Sequence, residues 1–224
     1  MKVVIFGASG MVGQGVLVEC LDHQSVSSVL VIGRSPCGIE DAKIEEVIHS
    51  DFTDYGTIED QLGGLDACFF CLGVSAAGMS EEDYRHVTYD FAVAAAETLS
   101  SLNPEMVFCY VSGAGTDSSE KGGTMWARVK GMTENRLLKM PFSSAYMFRP
   151  AYIQPKKGVH SKTRLYQAMY AVLSPLYPIW KTLFPRFVTT TEKVGLAMIR
   201  VAENGFSKPM LETRDINDLA SEVL

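Results

Sequence analysis

The sequence predicts an α/β protein built on a doubly wound parallel sheet, and three observations carry that prediction. It opens with "KVVIF" (2–6), a wholly apolar run that stops at Gly7, as a central parallel strand does. Gly7, Gly10 and Gly13 follow at three-residue spacing, between that strand and a helix-patterned segment. Beyond them, short apolar runs keep alternating with helical patterns as far as Pro150.

From Met11 to Leu21 the spacing is helical, with Val12, Val16, Leu17 and Cys20 on one face. "SVLVIG" (28–33) predicts a second strand and "KIEEVIH" (43–49) a third with one polar face. The link between them, "RSPCGIEDA", holds Pro and Gly and is too short for a good crossover helix. A short helix is expected at 57–62 and a fourth strand at "DACFFCL" (66–72). Residues 80–101 predict one long helix, started by Ser80 with Asp83 and sustained by the alanine-rich run from Ala92 to Ala96. A fifth strand at 105–112, a helix at 124–138 and a sixth strand at 144–150 complete the core. Gly131 sits inside that helix, at a cost of about 1 kcal/mol against Ala.

After Pro150 the texture changes to prolines and aromatics, as in "LYQAMYAVLSPLYPIWKTLFPRF". A helix from Glu192 to Glu203 ends at "NG", then come a short strand near "PMLE" and a helix from about Asp215. The expected organisation is one Rossmann-type domain over 1–224, with its core at 1–153 and a small C-terminal helical cap within 154–224. The apolar segment reads best as a lid over a pocket for a small apolar substrate. A patch for a protein partner or a membrane surface is the alternative, with Arg164, Lys181 and Arg186 at its edge. Pro175 and Pro178 argue against a bilayer span, and the oligomeric state is left open.

With 224 residues, 47% hydrophobic and 21% charged, the chain has the balance of a globular protein. A net charge of −6 offers no global field for nucleic acid, so none is expected as a partner. Five cysteines without framework spacing suggest a reducing compartment, and the short apolar start suggests no signal peptide; a cytoplasmic location is expected. Cys68 and Cys71 form a C-x-x-C, but in a strand they point to opposite faces, which favours core cysteines over a redox pair.

The glycine turn "GASGMVG" stands where backbone can approach a pyrophosphate at a helix N-terminus. At the end of the second strand an NAD site usually has an acid; here "IGRS" supplies Arg34 and Ser35 instead. A guanidinium and a hydroxyl suit a 2′-phosphate, so NADP(H) is expected over NAD(H). "SDF" would bring Asp51 to the adenine amino group and Phe52 to its face, and "CLG" (Cys71, Leu72, Gly73) ends the fourth strand at the ligand edge.

These motifs, with "YVSGAG", the helix bearing Lys130 and "FRPAYI", resemble the short-chain dehydrogenase/reductase superfamily in its atypical or extended branch, close to NmrA-like and Tat-interacting-protein-like NAD(P)-binding proteins. The likeness spans residues 1 to about 153 and is looser beyond. It implies cofactor contacts from Gly7, Ser9, Gly10, Met11, Val12, Gly13, Lys130 and the segment Pro150, Ala151, Tyr152, Ile153. It also implies a catalytic serine and a Tyr-x-x-x-Lys, matched here by Ser112 and by Lys130 with Trp126 at the tyrosine position. The lysine would lower the phenol's pKa; an indole has no such proton to give. Proton transfer of that kind contributes about 10²–10⁴ in rate, so the substitution bears on activity directly. Tyr152, Tyr84 and Tyr89 are candidate substitutes, each read more readily as a packed aromatic; His86 and His160 read as ordinary surface or core histidines. Two functions are therefore expected: an NADP-dependent oxidoreductase or epimerase-like enzyme on a small substrate, or a non-catalytic NADP(H)-sensing module for a protein partner.

Overall fold

The computed structural model describes residues 1–159 and 186–221. The strands are β1 (Lys2–Phe6), β2 (Ser28–Gly33), β3 (Ile44–Ile48), β4 (Ala67–Phe70), β5 (Val107–Val111), β6 (Ser144–Arg149), β7 (Tyr152–Gln154), β8 (Val188–Thr190) and β9 (Met210–Glu212). Seven of them form one sheet in the order β3-β2-β1-β4-β5-β6-β9, every pair parallel. The order reverses direction between β1 and β4, which makes the carboxyl edge there the ligand crevice of an open α/β sheet.

The apolar strands are buried on both faces, and alternation sends their side chains into two cores. Val3, Ile5, Phe69 and Cys109 join Val16, Leu17 and Cys20 of α1 (Met11–Asp22) on one face. Val4, Phe6, Phe70 and Phe108 join Ala92, Ala96 and Leu99 on the other. The edge strand β3 carries Glu45 and Glu46 outward, which discourages pairing with another chain. No helix bridges β2 and β3, as the short link predicted; the Cys37 N–H instead donates to Glu46 Oε1 at 2.6 Å.

The expected long helix is divided. Ser80 caps α2 (Glu81–Arg85), accepting from the Asp83 N–H at 3.1 Å. A π turn over His86–Asp90 then leads into α3 (Phe91–Leu102). α4 (Met125–Leu137) follows β5, and residues 56–61 are a 3₁₀ turn. At α4 the internal glycine has a steric reason: a Cβ on Gly131 would run into the Asp117 carbonyl.

The helix, short strand and last helix expected after residue 190 are present and join the main layers. α5 (Thr191–Asn204) packs on α1, where Gly15 faces Thr191 and Gly195 faces Glu19. β9 is the seventh strand of the main sheet, and α6 (Thr213–Ser221) covers it. These elements belong to the layered core. β7 and β8 form a separate parallel pair that the sequence reading did not foresee. The apolar segment expected as a lid falls mostly outside the described residues, as do His160, Arg164 and Lys181. Among the described residues no helix is long and apolar enough to cross a membrane.

Candidate functional site

The glycine turn is built by close backbone approach. Gly7 has φ +81°, and a Cβ there would lie 2.7 Å from the Leu72 nitrogen across the β1/β4 crevice. A Cβ on Gly13 would strike the Gly7 carbonyl, which accepts from the Gly10 N–H at 2.9 Å. The crevice is held shut behind them by the Cys71 N–H donating to the Phe6 carbonyl at 2.9 Å. Gly10 begins α1 without a side-chain cap, and the first turn of α1 has no acid. The N–H groups and positive dipole end around Ser9, Met11 and Val12 are thus left for an anion. At Gly7 and Gly13 the space a side chain would need is taken by backbone, so the turn is one that only glycine can make.

Arg34 and Ser35 are exposed just beyond β2, at the same sheet edge as Gly7. Among the described residues the Arg34 guanidinium has no hydrogen bond or ion pair. Asp51 is also exposed; the Thr53 hydroxyl and N–H, at 2.6 and 2.9 Å, hold its carboxyl below the usual range. Phe52 needs a correction. It is 2% exposed, with its ring 5.5 Å from Phe91 and 6.4 Å from Phe6, so its face is used in the core and is not offered to adenine. Cys71 and Leu72 are half-buried and Gly73 exposed at the end of β4. The cysteines are free, and burial pushes the Cys71 thiol up to about 12 and the Cys68 thiol well above its ordinary value, as core thiols should be.

Ser112 also departs from expectation. It is 5% exposed, and its hydroxyl donates to Glu134 Oε1 at 2.5 Å, with the Phe148 carbonyl 3.1 Å away. Its one O–H is therefore turned into the protein and is not free to meet a substrate oxygen. Glu134 was missed in the sequence. Its side chain is 0% exposed, and Arg149 binds it through Nε at 3.0 Å and through Nη2. Arg149 reaches on to Ser118 Oγ at 2.6 Å and lies 3.7 Å from Glu212. The signal was present: Glu134 is four residues after Lys130, on the same helix face.

Lys130 donates to the Ser112 carbonyl, and burial lowers its pKa to about 8 although the Glu134 charge opposes the shift. Trp126, one turn earlier, lies beside the Gly113–Gly115 turn, its Cη2 3.5 Å from where a Gly115 Cβ would sit. Pro150 is buried and its carbonyl accepts from the Ala114 N–H at 2.9 Å. The Ala151 N–H donates to Thr213 Oγ1, and Ile153 is buried. Of the substitute tyrosines, Tyr152 donates its hydroxyl to Gln154 Oε1 at 2.9 Å. Tyr84 is 2% exposed in the interior, and Tyr89 lies under the Arg85 guanidinium at 4.9 Å. His86 pairs with Asp90 at 3.2 Å on the surface. A 740 Å³ open groove lined by Asp66, Asn103 and Glu105 lies at the opposite, amino edge of the sheet, away from these residues.

A parallel sheet whose order reverses beside a tight glycine turn defines a Rossmann-type α/β fold. No family model matches the chain. It is 27% identical to the protein HTATIP2 of Rattus norvegicus over 155 residues, 68% of this chain and 62% of that protein's length. It is 21% identical over 218 residues to the mitochondrial protein fmp52-2 of Aspergillus terreus, covering 96% and 93%. Among solved structures it is similar to the Bordetella bronchiseptica enzyme WbmF in complex with NAD+ and UDP, at TM-score 0.65 and 14% identity, covering 97% of this chain and 75% of that one. A Burkholderia thailandensis oxidoreductase of the short-chain dehydrogenase/reductase family aligns at TM-score 0.67 and 14% identity, covering 96% and 92%. At these identities the solved structures show a shared fold, the one found in that short-chain dehydrogenase/reductase and in the NAD+-bound WbmF. The cytoplasmic expectation is corrected: three fungal relatives are mitochondrial proteins. Cysteines without framework spacing suit any reducing compartment, and that does not single out the cytosol.

Proposed function

We propose that this protein binds NADP(H) at the carboxyl edge of β1, β2 and β4 and acts as a reductase-type oxidoreductase on a small apolar substrate, without the phenol its relatives' chemistry would use. The observation that carries the reading is the tight glycine turn at the β1/β4 reversal point, with Gly7 packed on Leu72 and α1 opening without a side-chain cap or an acid in its first turn. In this reading Gly7, Gly10 and Gly13 bound the pyrophosphate, and the N–H groups at the start of α1 bind it. Arg34 and Ser35 hold the 2′-phosphate, Asp51 lies towards adenine, and Lys130 with Pro150, Ala151 and Tyr152 borders the nicotinamide end. The cofactor, when bound, supplies a hydride donor or acceptor. Exposure of Arg34, with no ion pair among the described residues, supports the 2′-phosphate assignment, since a guanidinium makes bidentate contacts to phosphate.

A second reading is a non-catalytic NADP(H)-sensing module that reports cofactor binding to a protein partner. It is favoured by one observation: the Ser112 hydroxyl is committed to Glu134 while an indole stands at the tyrosine position. Trp126→Tyr separates the two. If only the phenol is missing, that variant gains carbonyl reduction with NADPH by about 10²-fold or more over wild type. No gain, together with no wild-type turnover across aldehydes, ketones and enones, supports the sensing module. Robust wild-type turnover sinks it.

A further inference from the structure

With an indole at position 126, Lys130 has no phenol to steer, and its surroundings are unusual for a lysine. It is half-buried, and its ammonium bonds to a neutral group, the Ser112 carbonyl. Among the described residues it has no ion pair. Glu134, the carboxylate on its own helix face, is engaged by Arg149 of β6 and by the Ser112 hydroxyl. On the elements packed against α4, Arg128–Glu81 and Arg136–Glu97 pair at the outer surface, and Asp90 pairs with Arg85 and His86. Tyr84 and Tyr110 are buried phenols. Among the described residues Glu134 is thus the charge acting on Lys130.

We propose that Lys130 is a nucleophilic amine that captures small aldehydes and ketones as a Schiff base. The neutral Nζ keeps one N–H on the Ser112 carbonyl while its lone pair attacks the carbonyl carbon. A C–N bond forms as the C=O π pair moves to oxygen, and a proton passes from nitrogen to that oxygen. Loss of water then gives the imine; hydrolysis returns lysine and carbonyl compound, so no oxidant or second reactant is needed. Gly113, Ala114 and Gly115 follow Ser112 with one methyl among them, and Lys130 itself is only half-buried. Trp126 offers an apolar ring to the hydrocarbon part of the captured molecule. At pH 8 a lysine half-titrated there has about two orders of magnitude more neutral amine than an ordinary one. The proposal stands without the cofactor.

The test is reductive trapping of the full chain with propanal and sodium cyanoborohydride, mapped by peptide mass spectrometry between about pH 6 and about pH 10. Lys130 should be alkylated about tenfold or more faster than the exposed Lys121, Lys139 and Lys208, with its rate rising through pH 8. Glu134→Gln should move that rise to lower pH, because the lost charge supported the ammonium, and Lys130→Arg should abolish the adduct. Wild-type labelling that leaves Lys130 at or below the rate of the exposed lysines overturns the proposal, whatever the variants do. An NADPH fluorescence titration of the untreated protein separates this from the cofactor reading. An adduct without NADPH binding upholds Lys130 and rejects the cofactor assignment; binding without an adduct does the reverse.

Discussion

Lys130 and Gly131 are adjacent, and each constrains the chain through what lies opposite it. The Lys130 ammonium titrates near 8 in the folded protein and near the ordinary value of about 10.4 when unfolded. Between those values the unfolded chain holds more protons, so stability rises with pH; below about pH 8 the buried charge is a standing cost. Relative to Lys130→Met, the wild type should therefore gain stability from pH 8 to pH 10, read by urea unfolding at each pH. Parallel curves would show that the lysine is not desolvated. Gly131→Ala improves helix propensity, yet the Asp117 carbonyl occupies the space a methyl needs. It should destabilise by about 1–3 kcal/mol in a urea melt. At this scale the sequence was half legible. Lys130 and Trp126 could be found by spacing, whereas the direction of the Ser112 hydroxyl and the burial of Phe52 depend on partners 22 and 39 residues away.

Between elements, the main tie at the site is the Glu134–Arg149 pair, which fastens α4 to the end of β6 and, through Ser118 and Glu212, to a loop and to β9. Arg149→Met leaves a fully buried carboxylate with the Ser112 hydroxyl as its remaining side-chain donor, which should cost about 3–5 kcal/mol. Chemical denaturation against wild type checks this, and a loss within experimental error would mean the carboxyl simply takes up a proton. The regular elements were readable because burial on both faces imposes apolar runs on β1, β2 and β4, and the caps at Ser80 and Gly205 mark helix ends. The π turn at His86–Asp90 was not readable, since it keeps a helical pattern with one register shift. Nor was β7 with β8: each is three residues long, and neither has a strand pattern apart from its partner.

For the whole molecule, alternation of strands and helices implied the parallel sheet, and the glycine turn implied where its order reverses. The seventh strand and the packing of α5 on α1 were not implied, because both depend on contacts far apart in sequence. Gly15 and Gly195 make that packing possible, and in the sequence they look like ordinary helix-weakening glycines. The sheet order brings Arg34, at the end of β2, to the same edge as the glycine turn, and the proposed cofactor preference rests on that juxtaposition. The most direct measurement is a fluorescence titration of wild type and Arg34→Ala with NADPH and NADH at one fixed ionic strength. The account predicts tighter binding of NADPH by wild type, and an Arg34→Ala variant that loses about tenfold or more for NADPH while NADH is little changed. Equal affinities in the wild type, or a ratio that Arg34→Ala leaves unmoved, would contradict it.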